Sequence, residues 1–205
     1  MKIFTNLSNF KSTNKTFVTI GTFDGVHIGH QKVIKKLIKS AKNNNATAVL
    51  LTFFPHPRMV LQKDVDIKLI NTIEERTELL ENLGLDILVI HQFSIKFAKL
   101  SALDFVRSIL VNTLNISRLV IGYDHHFGKG RMGNFELLES LGKTHHFNVE
   151  EINEQLVSWN KTHINTLCLN PATITSADLT QLEQLCEEFP YAGIFSLTYL
   201  EGMYL

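Results

Sequence analysis

Residues 46–54 read ATAVLLTFF, nearly unbroken by polar side chains, and the run stops at Pro55 and Pro57. It is too short to cross a membrane and too apolar for a strand with one wet face. A strand buried on both faces belongs in a parallel sheet covered by helices on both sides, and the prolines mark where its ladder ends. The rest of the chain alternates in the way such a sheet needs. Strand composition recurs at 16–20, 86–91, 118–122 and 147–152, and helical apolar spacing at 28–42, 74–83, 102–114 and 135–142, with Gly84 closing the second helix. The pattern predicts an α/β chain with a Rossmann-like, doubly wound parallel sheet and right-handed crossovers. In such a sheet ligands gather outside the carboxyl ends of the strands.

The chain of 205 residues has room for one such unit and an appendage, and one catalytic site is expected. Residues 1–157 hold 19 Lys and Arg against 15 Asp and Glu, while 158–205 hold one lysine, Lys161, against five acids. The excess in the body suits small anions and is too small to argue for a nucleic-acid surface. The composition shift divides the chain into a domain over 1–157 and a short acidic tail over 158–205, which carries Trp159, Cys168 and Cys186. In that tail Thr175 and Asp178 form a plausible capping box. Leu179, Leu182, Leu185, Cys186 and Phe189 then recur at helical spacing until Pro190, predicting an amphipathic helix. Two cysteines indicate no disulfide framework and no structural zinc site. No apolar stretch reaches the length of a membrane span, and the start MKIFTNLSNF lacks the marks of a signal peptide, so a cytoplasmic location is expected.

The strongest chemical signal is Gly21-Thr22-Phe23-Asp24-Gly25-Val26-His27-Ile28-Gly29-His30, where the first predicted strand hands over to the first helix. Gly21 and Gly25 permit tight turns and close backbone approach, and the helix start offers unpaired N–H groups and a positive dipole end to a phosphate. Gly29 leaves room beside the chain. His27 and His30, three apart, fall on one side of the helix, where both can donate to triphosphate oxygens whose charge grows as pyrophosphate leaves. The competing reading, two surface histidines at an ordinary helix start, is outweighed by the glycine loop. Zinc binding is weaker still, since a third ligand is not nearby in sequence.

Two further segments fall at predicted strand ends. Thr52-Phe53-Phe54-Pro55-His56-Pro57 is a stiffened exit that presents His56 and Arg58 at the cleft mouth; it also reads as a plain rigid turn. Gly122-Tyr123-Asp124-His125-His126-Phe127-Gly128, followed by Arg131 and Gly133, sets a carboxylate, two imidazoles and a phenyl ring on a glycine-bracketed loop. Such a set suits a heteroaromatic ring with hydrogen-bonding edges.

GTFDGVHIGH resembles the HxGH motif of the nucleotidylyltransferase superfamily, in the form found in the FAD synthetase module of bacterial bifunctional riboflavin kinase/FMN adenylyltransferases. The segments at 52–57 and 122–133 resemble that family's TFxPHP and GxDFRFGxxRxG segments, and order and spacing fit from about residue 15 to 155. The resemblance implies a sheet of the nucleotidylyltransferase type and adenylyl transfer from ATP to FMN, giving FAD and pyrophosphate, with Mg²⁺ bridging the leaving phosphates. It assigns His27 and His30 as catalytic clamps. It places Gly21, Thr22, Phe23, Asp24, Gly25, Gly29, Gly122 and Thr162 on the ATP side, and His56, Pro57, Asp124, His126, Phe127 and Arg131 on the flavin side. Glu75-Arg76, Gly84-Leu85-Asp86 and the 93–105 segment also fit the family pattern, as packing and capping residues.

The resemblance weakens after residue 155. The family's serine-rich segment ending in Ile-Arg is matched only by Asn160-Lys161-Thr162-His163-Ile164-Asn165, which has Asn165 in place of the arginine, and the residues that follow are too few for a flavokinase barrel. Loss of one charge-stabilising donor typically costs about 10²- to 10³-fold in rate. Two alternatives therefore stand beside FMN adenylylation: the same fold with another phosphorylated acceptor, or an impaired flavin- or nucleotide-binding module.

Overall fold

The computed structural model describes residues 1–12, 14–62, 67–122 and 125–152. They form one six-stranded sheet, β1 (Lys2–Phe4), β2 (Thr16–Ile20), β3 (Thr47–Phe54), β4 (Ile87–Gln92), β5 (Ile116–Gly122) and β6 (Asn148–Ile152). Its order is β1-β4-β3-β2-β5-β6, and every adjacent pair is parallel. The helices are α1 (Ile28–Asn43), α2 (Pro57–Leu61), α3 (Ile73–Asn82), α4 (Ile95–Ala98), α5 (Ala102–Asp104) and α6 (Phe135–His145); α5 runs directly into a π-helical stretch, Phe105–Thr113.

The predicted doubly wound sheet is therefore the observed one, and alternation along each strand explains its two cores. On one face Val18, Ile20, Val49, Leu51, Val89, Leu119 and Ile121 pack with Phe105, Leu110 and Leu138. On the other, Phe17, Ala48, Leu50, Leu88 and Val120 pack with Ile34 and Leu37 of α1 and Leu80 of α3. The 46–54 run is central because both of its faces are covered, and β3 pairs with β2 on one side and β4 on the other.

The chain order reverses direction at β2, whose neighbours are β3 and β5. This is the switch point of an open α/β sheet, where the loops after two adjacent strands diverge and leave a crevice. The glycine loop follows β2, and the segment that begins at Gly122 follows β5. Both chemical motifs thus emerge side by side at the carboxyl edge.

Several local expectations are corrected. β1 is an edge strand whose three residues are too few for periodicity to reveal. Gly142 does not end α6: the helix continues to His145 and is capped by His146 in the left-handed conformation, while Gly142 lies where an added Cβ would meet the Phe147 carbonyl oxygen at 2.5 Å. The 55–57 exit leads into a short helix, with Pro57 at its first position and His56 capping it. The 102–114 helix is mostly π-helical, a hydrogen-bonding choice that apolar spacing does not report. The predicted tail helix and Cys168, Cys186 and Trp159 lie outside the described residues.

Leu50 is fully buried in the middle of β3. Leu50→Ala is expected to destabilise the domain by about 2–5 kcal/mol, the usual range for a leucine truncated in a close-packed core. Urea unfolding followed by circular dichroism checks this as a lowered midpoint at unchanged slope.

Candidate active site

β2 is buried along its whole length and delivers the chain to the glycine loop. Gly21 extends the ladder by one more bond, its N–H donating to the Leu51 carbonyl at 3.1 Å. The chain then turns sharply. Phe23, Gly25 and Val26 have φ of 50°, 73° and 39°, and Asp24–Val26 form a single 3-10 turn. Gly25 accommodates its angle freely, whereas Phe23 and Val26 are held there by burial. Phe23 is a core residue, and an added Cβ on Gly21 would lie 2.9 Å from its ring. The ring assigned from sequence to the ATP side is therefore a buried floor, and its outer neighbour is the His30 ring at 4.9 Å.

His27 caps α1. Its Nδ1 accepts the His30 backbone N–H at 3.4 Å, which puts the proton of the neutral ring on Nε2. Its ring stacks on that of His30 with centroids 3.6 Å apart. The expectation that the two imidazoles share one side of the helix is met as direct contact. Gly29 lies between them in the first turn, which contains no acidic residue, and the N–H groups of that turn have no helical carbonyl to bond. Burial, then His27, then Arg76 push the His30 imidazole down to about 3, so it is neutral throughout the physiological range. Its Nδ1 is buried without a hydrogen-bond partner among the described residues.

Asp24 does not offer a free carboxylate. Its Oδ2 accepts the Ile70 N–H at 2.9 Å, and its Oδ1 accepts the Asn71 N–H at 3.1 Å and Arg76 Nη2 at 3.0 Å. The Thr22 carbonyl accepts from Arg76 Nη1 at 2.8 Å and from Thr52 Oγ1 at 3.2 Å. Thr22 and Asp24, assigned to ATP contact from sequence, are thus anchored from beneath through these atoms. Arg76 and Thr52 are not among the site residues that the sequence motifs mark. One signal for Arg76 was available: with Ile73 and Leu80 it falls at i, i+3, i+7 on the buried face of α3.

Beyond β3, His56 accepts the Arg58 N–H at Nδ1, 3.2 Å away, and caps α2. It lies close enough to Arg58, Asp24 and Arg76 to feel all three charges, and burial, followed by Arg58, lowers its basicity. Beyond β5, Gly122 ends the strand, and Phe127 and Gly133 exchange two backbone bonds of 3.1 and 2.9 Å. Phe127 is buried against Phe105, with centroids 5.5 Å apart, and lies so close over Gly133 that an added Cβ there would sit 2.4 Å from the ring. Its ring is therefore a buried element under the loop. His126 is exposed, with Nδ1 3.4 Å from the Gly133 carbonyl oxygen; Arg131 is exposed at φ 57°. Asp124 and Thr162 lie outside the described residues.

A parallel sheet whose switch point carries a glycine loop and paired imidazoles at a helix start defines an α/β domain of the Rossmann-like, nucleotide-binding class. Over residues 9–166 the sequence matches the family model described as FAD synthetase, and the chain belongs to that family. Three curated relatives are bifunctional riboflavin kinase/FMN adenylyltransferases. That of Buchnera aphidicola subsp. Schizaphis graminum is 38% identical over 76% of this chain and 50% of its own length. That of Bacillus subtilis is 34% identical over 76% and 50%, and that of Escherichia coli K12 30% identical over 73% and 48%. The chain spans about half the length of the curated relatives it matches. A Streptococcus pneumoniae crystal structure described as a macrolide-efflux protein has the same fold, with a TM-score of 0.65 and 25% identity over 74% of this chain and 49% of that one. Among the described residues no helix is long and apolar enough to cross a membrane.

The lowered His30 makes a prediction about acid stability. Between the unfolded value of about 6.5 and the folded value of about 3, the unfolded chain takes up a proton that the folded chain refuses. The contribution of the neutral, buried ring is complete above pH 6.5 and is lost as pH falls through that window. His30→Gln removes the group, so its unfolding free energy is expected to fall less steeply than the wild type's from pH 6.5 to 4, measured by denaturant titration at each pH.

Proposed function

We propose that this chain transfers the adenylyl group of ATP to FMN, giving FAD and pyrophosphate. The observation that carries the reading is the stacked His27/His30 pair at the N-terminus of α1, at the switch point of a FAD synthetase family domain. An FMN phosphate oxygen attacks the α-phosphorus in line. A new O–P bond forms, the bond to the bridging oxygen of the β-phosphate breaks, and its electron pair leaves with pyrophosphate. No protein nucleophile is needed, because positioning and charge neutralisation lower the barrier in such transfers.

The glycine loop, from Gly21 to Gly25, brings backbone up to the nucleotide, and the first-turn N–H groups around Gly29 with the α1 dipole receive the phosphates. His27 and His30 donate to the oxygens that gain charge as pyrophosphate departs, where preorganised donors act most strongly. Gly122 completes the ATP side at the end of β5, and Thr162 is assigned there from the family pattern. His56 and Pro57 at the β3 exit, with Asp124, His126 and Arg131 beyond β5, form the flavin side, and Phe127 supports it from below. Among the described residues no group of three or more His, Cys, Asp or Glu is placed to hold a metal, and the Asp24 carboxylate is already engaged. Mg²⁺ would enter as part of the Mg–ATP substrate and would supply neutralisation of the charge on the leaving phosphates. ATP and FMN are the partners this reading requires, in the cytoplasm, and the acidic segment 158–205 is an appendage to the domain over 1–157.

A second reading, an impaired binding module, is favoured by one observation: Asn165 stands where the resemblance expects an arginine. Chromatographic detection of FAD and pyrophosphate from FMN, ATP and Mg²⁺ separates the two. Product is expected from the wild type, and the His27→Ala, His30→Ala double variant should lower the rate by at least about 10²-fold. ATP and FMN binding without product identifies the binding module; ATP binding without FMN binding identifies a different acceptor. Asn165→Arg is expected to raise the rate, and an unchanged rate would show that 160–165 does not close over the triphosphate.

A further inference from the structure

We infer that Arg76 is a positioning residue for adenylyl transfer: its guanidinium, buried beneath the glycine loop, holds the Thr22 carbonyl and the Asp24 carboxylate so that the loop and the His27/His30 pair face the triphosphate. This rests on the function proposed above and adds to it a residue from outside the motifs at the strand ends.

Arg76 is 1% exposed and Asp24 14%. The guanidinium bonds in two directions at once: Nη1 to Thr22 at 2.8 Å, and Nη2 to Asp24 at 3.0 Å and to the Asn71 carbonyl at 3.3 Å. These contacts tie α3 and the segment before it to the loop after β2, which is some fifty residues earlier in the chain. The pair is electrically neutral as a unit, so Arg76 is no anion-binding charge; what it contributes is geometry, which the rigid fork of arginine supplies and the single ammonium of lysine does not. The loop needs such a restraint. Positive φ at Phe23 and Val26 is not a local preference of those residues and persists only where the surroundings over-determine it. Thr52 adds a second, independent donor to the Thr22 carbonyl.

Arg76→Met keeps much of the side-chain volume and removes the fork, Arg76→Lys keeps the charge, and Thr52→Val removes only the second donor. Initial rates are measured with ATP and FMN varied separately, ATP affinity by calorimetry, and the folded fraction by thermal melting. Both Arg76 variants, assayed below their melting temperatures, are expected to raise the KM for ATP and lower kcat, each by about tenfold or more, as a misplaced site does. The KM for FMN should stay within about twofold. Thr52→Val should move the same parameters by less. A purely structural arginine would lower the melting temperature and leave the kinetic constants of the folded enzyme unchanged, which overturns the inference. Should Arg76→Met fail to fold, Arg76→Lys and Thr52→Val decide it by the same criteria. If the wild type binds ATP but makes no FAD, the proposed reaction fails separately. Weakened ATP affinity in Arg76→Lys would then still support the positioning role, and unchanged affinity would overturn it. A wild type that does not bind ATP overturns both.

Discussion

β2 is hydrogen-bonded on both sides, to β3 and to β5, and every strand in the sheet points the same way. The geometry of the site follows from that pairing. Parallel strands in register end at one edge, so the glycine loop and the Gly122 loop must start beside each other although about a hundred residues separate them. Because the chain after β2 crosses to β3 over one face and the chain after β5 crosses to β6 over the other, the two loops diverge, and the crevice between them is a consequence of topology. The continuous apolar run in β3 is the complement of this arrangement, since a strand beside the switch point is covered on both faces and has no place for polar alternation.

The site combines a strongly held interior with neutral donors at its surface. A buried guanidinium alone would be costly, and it is matched by Asp24 and by carbonyl oxygens of Thr22 and Asn71, so the loop gains rigidity without a net charge from the pair. Burial holds the His30 imidazole down at about 3 and lowers the basicity of His56. The start of α1 presents oriented N–H groups and a helix dipole. Such donors are aligned before charge develops and need little reorganisation when it does.

Aromatic packing serves the same end beyond β5. Phe53, Phe97, Phe105 and Phe127 form a chain of ring contacts with centroids 5.5 to 6.1 Å apart, running from the β3 exit to the loop after β5. The chain crosses the start of the π-helical stretch, at Phe105. Gly128 lies where an added Cβ would be 2.9 Å from the Ala102 backbone, and the Lys129 N–H donates to the Leu100 carbonyl. The loop is thereby fixed to the α4–α5 corner, and its exposed residues, His126 and Arg131, are presented from a braced support.

Hydrophobic periodicity and turn chemistry were enough to read the fold class, five of the six strands and the position of the glycine loop, because these depend on neighbours within a few residues. The adjacency of His27 and His30 was equally legible, since three-residue spacing at a helix start has one geometric outcome. Whether a side chain in a motif faces ligand or core was not. Phe23 and Phe127 belong to motifs yet lie buried, Asp24 is engaged from beneath, and Arg76, outside the motifs that mark the site, underlies the loop. Those assignments depend on which elements the sheet order brings together across long stretches of chain, and contacts between α3 and the β2 loop, or between the π-helical stretch and Phe127, leave no local pattern. The amino-acid sequence by itself determined where five of the six strands, the glycine-loop turn and the start of α1 lie, because backbone preference and burial act locally. Only the tertiary structure decided which motif residues stay available to a ligand, because that depends on partners the chain meets only when the sheet has closed its order.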